Sequence, residues 1–515
     1  MTNFQQETLT AAAMAGDIPP IEAVAPAKPT TSDPSTYKFL KAMLPHLPLL
    51  LRTAVLHLLR LSPQSPYLNL KTALIVNVLR AYINPPNPKT ISETKVFLNK
   101  FPSIKGKMWI STYSVPTPAA ETQTCIQNLF SEAINALDRN GRTYTGPMPD
   151  VKAVEGEWTG YRANATSESR LPAGLSERDL YQEMMKEVKG KTTILYFHGG
   201  AYWLMDPATH RPTTKTLAKV TRGRCFSVRY RLAPENPFPA AVMDGLIAYL
   251  NLLYPDEEDA FHPPIPPNEI VFAGDSAGGN LCFSLLQIIL HLHRTNQKEI
   301  PWNGRMVTIP LPAGVAVNSP WMDVTHSSPS CTSNAPFDYL PEPAILSSAE
   351  AKRPPCSIWP SAPARRHIYV ADSLLTHPLV SVVSSKSWEG APPVYICTGW
   401  ELLADEDKYT AKKMWEEGVR VRFEEYEGMP HCFGLIFPGL REARRCFAGW
   451  GGFIKGVVEG DGEKGSRFLT VKAGTLEEVE RKGEEMSLDG EEVVRRRMEA
   501  RLKGETVVGE GLAKL

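Results

Sequence analysis

The sequence carries no excess charge of either sign. Lys+Arg and Asp+Glu each number 56 in 515 residues, so the formal net charge is zero. That balance excludes the strongly basic footprint of a nucleic-acid binder. No two cysteines are spaced CxxC: the eight stand at Cys125, Cys225, Cys282, Cys331, Cys356, Cys397, Cys432 and Cys446. Zinc-finger and thioredoxin-type motifs are thereby excluded. Several lie in apolar runs, where cysteine acts as a small hydrophobe, and the set reads as free thiols of a reducing compartment. No run of about 20 uncharged apolar residues is present to span a bilayer. The leucine-rich stretch 39–59 is broken by Lys41, Pro45, Pro48, Arg52 and two histidines. It reads as amphipathic, with a peripheral membrane contact through 37–83 as the alternative to packing on the main body. The first 13 residues lack a basic segment followed by an apolar core, so no signal peptide is evident. The expected location is cytoplasmic or peripheral to an internal membrane.

What is present divides the chain in four. Residues 1–36 are rich in Pro, Thr and Ser and read as a flexible leader. Residues 37–104 read as a helical region. Residues 105–455 alternate short β-rich and helical runs. Residues 456–515 are dominated by Glu, Lys and Arg and read as a charged helical or disordered tail, with helical spacing over 476–503. The alternation predicts strands at 107–115, 151–161, 193–197, 225–230, 269–273, 315–318, 394–398 and 421–426. It predicts helices at 240–253 and 278–292 between them. Such an order builds an α/β fold: a mostly parallel sheet with helices on both faces. Reactive groups then belong beyond the carboxyl ends of the strands.

Four sites satisfy that rule. Gly274-Asp275-Ser276-Ala277-Gly278 lies between a strand and a helix, the context in which G-x-S-x-G exposes a nucleophilic serine. His198-Gly199-Gly200-Ala201 follows strand 193–197 directly, where a glycine-rich turn supplies N–H donors to an oxyanion. Of the six histidines after Ser276, His291 and His293 lie too far along the helix. His431 follows strand 421–426 in a loop and is the expected base. Glu401 is the first carboxylate beyond strand 394–398 and is the preferred acid. Asp405 is the alternative, though it is also placed to cap a helix at 408–417. His198 reads as a loop organiser, and Asp275 and Asp323 as hydrogen-bonding supports.

HGGA at 198–201, YRLAPENPFPAA at 230–241, GDSAGG at 274–279, SPWMD at 319–323 and EGMPHCF at 427–433 occur in that order. Together they resemble the hormone-sensitive lipase-related family of α/β-hydrolases, most closely its fungal members, over about residues 105–455. The resemblance implies an eight-stranded sheet with a helical cap and cleavage of carboxylic esters. It implies Ser276 as nucleophile, His431 as base, Glu401 as acid, and Gly199, Gly200 and Ala277 at the oxyanion hole. Three positions depart from the family pattern: Ala201 for a glycine, Glu401 for the usual Asp, and Cys432 where the family has glycine after the histidine. The cap is expected from 324–390, with a short helix at 340–352, together with 37–96. The expected reaction is acyl-enzyme hydrolysis of a small or hydrophobic ester, with no cofactor and no metal. An acyltransferase or amidase on the same triad, or a non-catalytic ligand-binding protein, is the rival. The sequence leaves oligomeric state open.

Overall fold

The computed structural model describes residues 44–504, except 99, 100, 102, 463 and 488. The leader at 1–36 lies outside the described residues. The body of the fold is a ten-stranded sheet. Its strands are β1 (Met108–Val115), β2 (Val154–Tyr161), β3 (Thr193–Phe197), β4 (Arg224–Arg229), β5 (Ile270–Asp275), β8 (Gly314–Asn318), β9 (Val394–Gly399), β10 (Val421–Tyr426), β11 (Arg467–Val471) and β12 (Glu478–Arg481). A separate hairpin is formed by β6 (Glu299–Trp302) and β7 (Arg305–Thr308). The sheet order is β1-β2-β4-β3-β5-β8-β9-β10-β11-β12. From β4 to β11 neighbouring strands run parallel, and β1, β2 and β12 pair antiparallel at the two edges.

The eight expected strands are all present. The other two, β11 and β12, fall in the segment read as a charged tail. That reading is corrected: Arg467–Val471 pairs with β10, and a helix occupies only Glu491–Leu502 of the stretch 476–503. Charge hid these strands. β11 lies one strand in from the edge and is buried on both faces over Phe468, Leu469, Thr470 and Val471, while the edge strand β12 is mostly exposed.

Parallel central strands are buried on both faces, and their side chains alternate between two cores. Ile194 and Tyr196 of β3 join Val271, Ala273, Tyr395 and Trp450 on one face. Leu195 and Phe197 join Phe272, Val317, Ile396 and Leu281 on the other. Helices Pro207–Thr221 and Arg441–Glu459 cover the first face, and Ala240–Leu253 and Ala277–Arg294 cover the second. β3 lies between β4 and β5, so successive connections leave it in opposite directions. The loops after β3 and β5 therefore open at the point where the strand order reverses, the usual ligand crevice of such sheets.

The regions expected to form a cap meet above this edge. The N-terminal region forms helices Leu47–Leu58, Leu70–Ile83 and Ile91–Leu98. Arg80 donates to the backbone oxygens of Ala335, Pro336 and Asp338. Arg353 donates to Lys89 O at 3.0 Å. The short helix of the insertion spans Pro343–Ala351.

Candidate active site

The turn from β5 into helix Ala277–Arg294 holds Ser276 at φ 51°, ψ −121°. A non-glycine residue there stores of order 1–3 kcal/mol of strain, so the surroundings must hold it. They do: Ser276 N donates to Asn318 O at 3.1 Å, and Ser276 O accepts from Trp321 N at 3.0 Å. The flanking glycines are required by contact. A Cβ on Gly278 would stand 2.0 Å from Phe197 O, and one on Gly274 would stand 2.6 Å from the same atom.

The loop after β3 runs beside this turn. A Cβ on Gly199 would lie 2.3 Å from Asp275 Oδ2 and 3.2 Å from Ser276 Cβ. Gly200 takes φ 109°, and Ala201 takes φ 52°, the strained value that its place in the motif implied. Among the described residues, no hydrogen-bond acceptor meets the N–H groups of Gly199, Gly200 or Ala277. His198 organises the loop, as expected. It stacks on Tyr230 at 4.3 Å, its Nδ1 lies 2.7 Å from Gly199 O, and its own carbonyl accepts from Tyr230 Oη at 2.6 Å. Burial, aided by neighbouring His210, lowers its pKa to about 3, so it is neutral.

His431 and Glu401 meet directly. Nδ1 of His431 lies 2.8 Å from Oε1 of Glu401, whose side chain is 0% exposed. Burial opposes the imidazolium, but the adjoining Cys432 sulfur and the Glu401 carboxylate outweigh it, and the His431 pKa stands well above its ordinary value. Four other histidines after Ser276 behave oppositely: burial lowers His291, His326, His367 and His377. Asp405 is elsewhere. It accepts from Ser330 N at 2.9 Å and lies inside the first turn of helix Ala404–Glu416, not at its cap. The helix begins earlier than 408, because Leu403 ends the preceding turn.

Several supports escaped sequence reasoning. Ser319, at the end of β8, donates to Glu401 Oε2 at 2.7 Å and accepts from Cys432 N at 3.0 Å. It ties the acid loop to the base loop and adjoins Asn318, which holds Ser276. Asp338, in the insertion, accepts from Leu402 N and His431 N. Tyr196 and His210 hold Asp275, at 2.6 and 3.3 Å. Each comes from a different strand or loop; Ser319 opens the SPWMD stretch, but its pairing with Glu401 is not visible from that motif. The support role expected for Asp323 is also seen: it accepts from Thr325 and Ser327. Cys432 adopts φ 49°, and its Sγ lies 3.5 Å from His431 Nε2 and 4.0 Å from Asp275 Oδ2. Burial pushes this thiol up to about 12, so it is neutral near pH 7.

Sheet order, nucleophile-type turn and the histidine–carboxylate pair define the α/β-hydrolase class. A family model described as α/β-hydrolase fold matches residues 194–435. An acetyl-hydrolase of Streptomyces hygroscopicus is 32% identical over 273 residues, 53% of this chain and 78% of the relative. An esterase of Acinetobacter venetianus is 28% identical over 268 residues, 52% and 76% of the two chains. Human hormone-sensitive lipase is 31% identical over 112 residues, 22% of this chain and 10% of that one. The chain belongs to this α/β-hydrolase family. A crystal structure of an esterase from the bacterial hormone-sensitive lipase family superposes with TM-score 0.51 at 22% identity, covering 76% of this chain and 99% of the other. At that identity the likeness speaks for the fold.

Proposed function

We propose that the chain is a serine carboxylic ester hydrolase working through an acyl-enzyme. Ser276 Oγ attacks the acyl carbon while His431 Nε2 takes its proton. The tetrahedral oxyanion is met by the N–H groups of Gly199, Gly200 and Ala277. His431 then protonates the leaving alcohol, and water repeats the sequence to release the acid. Glu401 fixes the imidazole tautomer with Nδ1 protonated and stabilises the imidazolium.

The observation that carries this reading is the 2.8 Å contact of His431 Nδ1 with buried Glu401. It leaves Nε2 as the nitrogen available to the serine. The neutral Cys432 thiol beside Nε2 makes only a weak contact, which an incoming hydroxyl displaces. The relatives named esterase and acetyl-hydrolase support ester substrates. Glu401 in place of Asp keeps the same chemistry with one more methylene. An acyltransferase would share every step but the last, so acid release in water without an added acceptor separates the two.

Labelling with a fluorophosphonate tests the activated serine. The expected result is one adduct, located at Ser276 by mass spectrometry and abolished in His431→Ala. An unlabelled wild type, or labelling indifferent to His431, contradicts the proposal.

A further inference from the structure

Helix Leu47–Leu58 is turned inside out. Leu47, Leu51, Val55 and Leu58 form one stripe at helical spacing and are 52 to 69% exposed. Leu44, Leu59 and Leu61 extend it at either end. The buried positions of the helix are Thr53 and His57. In water the hydrophobic effect favours the opposite arrangement. A patch of this kind marks an interaction surface. Tyr82 and Ile83 of the neighbouring helix are exposed as well, and Tyr82 meets His46 at 4.9 Å.

The charge carried by this segment of sequence is of one sign. From residue 44 to residue 92 the sequence holds five Lys or Arg and no Asp or Glu, in a chain whose totals are 56 and 56. Arg52 and Arg60 flank the exposed leucines directly, and both are exposed. Apolar residues bordered by cations, with no acid, complement a lipid surface with anionic headgroups. Twelve residues rise about 18 Å, short of the ~30 Å hydrocarbon core, and no helix among the described residues is long and apolar enough to cross a membrane. The geometry is that of a helix lying in the interface.

We infer that this helix docks the protein on an anionic lipid surface through Leu47, Leu51, Val55 and Leu58. The segment behind it reaches the candidate site: Tyr67 packs on Trp400 at 4.7 Å, next to Glu401, and fills the space at Gly428 near His431. Docking would therefore hold the loops of the candidate site close to the leaflet. The docking itself does not depend on the hydrolase assignment.

The test is cosedimentation of the full chain with extruded vesicles, phosphatidylcholine alone or with 30% phosphatidylserine, read as bound protein and not as turnover. The wild type should pellet with the anionic vesicles, and raised salt should weaken the binding. The triple variant Leu51→Glu, Val55→Glu, Leu58→Glu should lose at least about tenfold in partition. These side chains are exposed, so its circular dichroism and melting should match wild type. Vesicle binding unchanged in the triple variant, or absent in wild type, overturns the inference. So does a lipid-free wild-type dimer that the variant abolishes in light scattering, which would make a second copy the occupant.

Discussion

Asp338 Oδ1 accepts a hydrogen bond from the backbone N–H of His431 at 3.2 Å, while its Oδ2 accepts from Leu402 N at 2.8 Å. One buried carboxylate from the cap insertion thus fastens the loop of the base to the loop of the acid. The backbone of residues 335–338 is in turn gripped by Arg80 of the N-terminal region. Burial raises the Asp338 pKa above its ordinary value, and His431 and the backbone N–H donors oppose the rise. Asp338→Ala removes the acceptor of four N–H groups, those of His431, Leu402, Tyr339 and Leu340, at about 1–3 kcal/mol for each one left buried and unpaired. We expect a lower melting temperature and a fall in kcat that exceeds any rise in KM, with the pH profile shifted. Wild-type kcat and profile in the variant would show that Asp338 only fills space.

The acid can be assigned by comparing two conservative substitutions. Glu401→Gln keeps the shape but not the charge facing His431 Nδ1, and should lower kcat by about 10³–10⁴-fold, the scale of a lost triad acid. Asp405→Asn keeps an oxygen for Ser330 N and should stay close to wild type. Steady-state kinetics on one ester decides, and the reverse order would move the acid to Asp405.

The pH profile follows from the sign of the His431 shift. The base acts when deprotonated, so the rate rises with pH through its pKa. Because that pKa stands above the ordinary 6.5, the acid limb of kcat/KM should reach half-height above pH 6.5. Removing the Glu401 carboxylate takes away a group that favours the imidazolium, so in the residual activity of Glu401→Gln the limb should move to lower pH. A limb at or below 6.5 in wild type, or one that moves upward in the variant, would refute the electrostatic account.

Cys432 is a built-in experiment on the base. Its left-handed backbone costs roughly 1–2 kcal/mol for a residue with a side chain, and its sulfur occupies the approach to Nε2. In Cys432→Gly the relief of strain and the loss of a buried thiol oppose each other, so stability should change little. The thiol is neutral, so its loss removes no charge and the acid limb should stay in place, while the rate near neutrality should rise as the approach to Nε2 opens. Denaturant melts and a pH–rate series check both parts. A slower enzyme would mean that the thiol assists the base.

The central strands were legible because a strand buried on both faces leaves a run such as Thr193–Phe197 with no competing reading. Ser276 and His431 were legible because each combines a chemical group with a strand end and small neighbours. The supports were not. Ser319, Asp338, Arg80 and His210 act across distances of tens to hundreds of residues, and nothing local distinguishes their types from ordinary polar residues. Strand β11 was missed for a related reason: its buried run, Phe468–Val471, is only four residues long, and so short a run among Lys, Arg and Glu looks like solvated chain. The inverted helix Leu47–Leu58 shows the same limit from the other side. Its apolar character was plain in sequence, but which face points outward is set by its packing on helix Leu70–Ile83.

The most direct measurement is hydrolysis of p-nitrophenyl esters of increasing acyl length by the wild type and by Ser276→Ala. The account predicts turnover that falls by about 10⁴-fold or more in the variant, with folding intact by circular dichroism. The chain-length optimum would then size the acyl pocket. Hydrolysis that persists in Ser276→Ala would contradict the account.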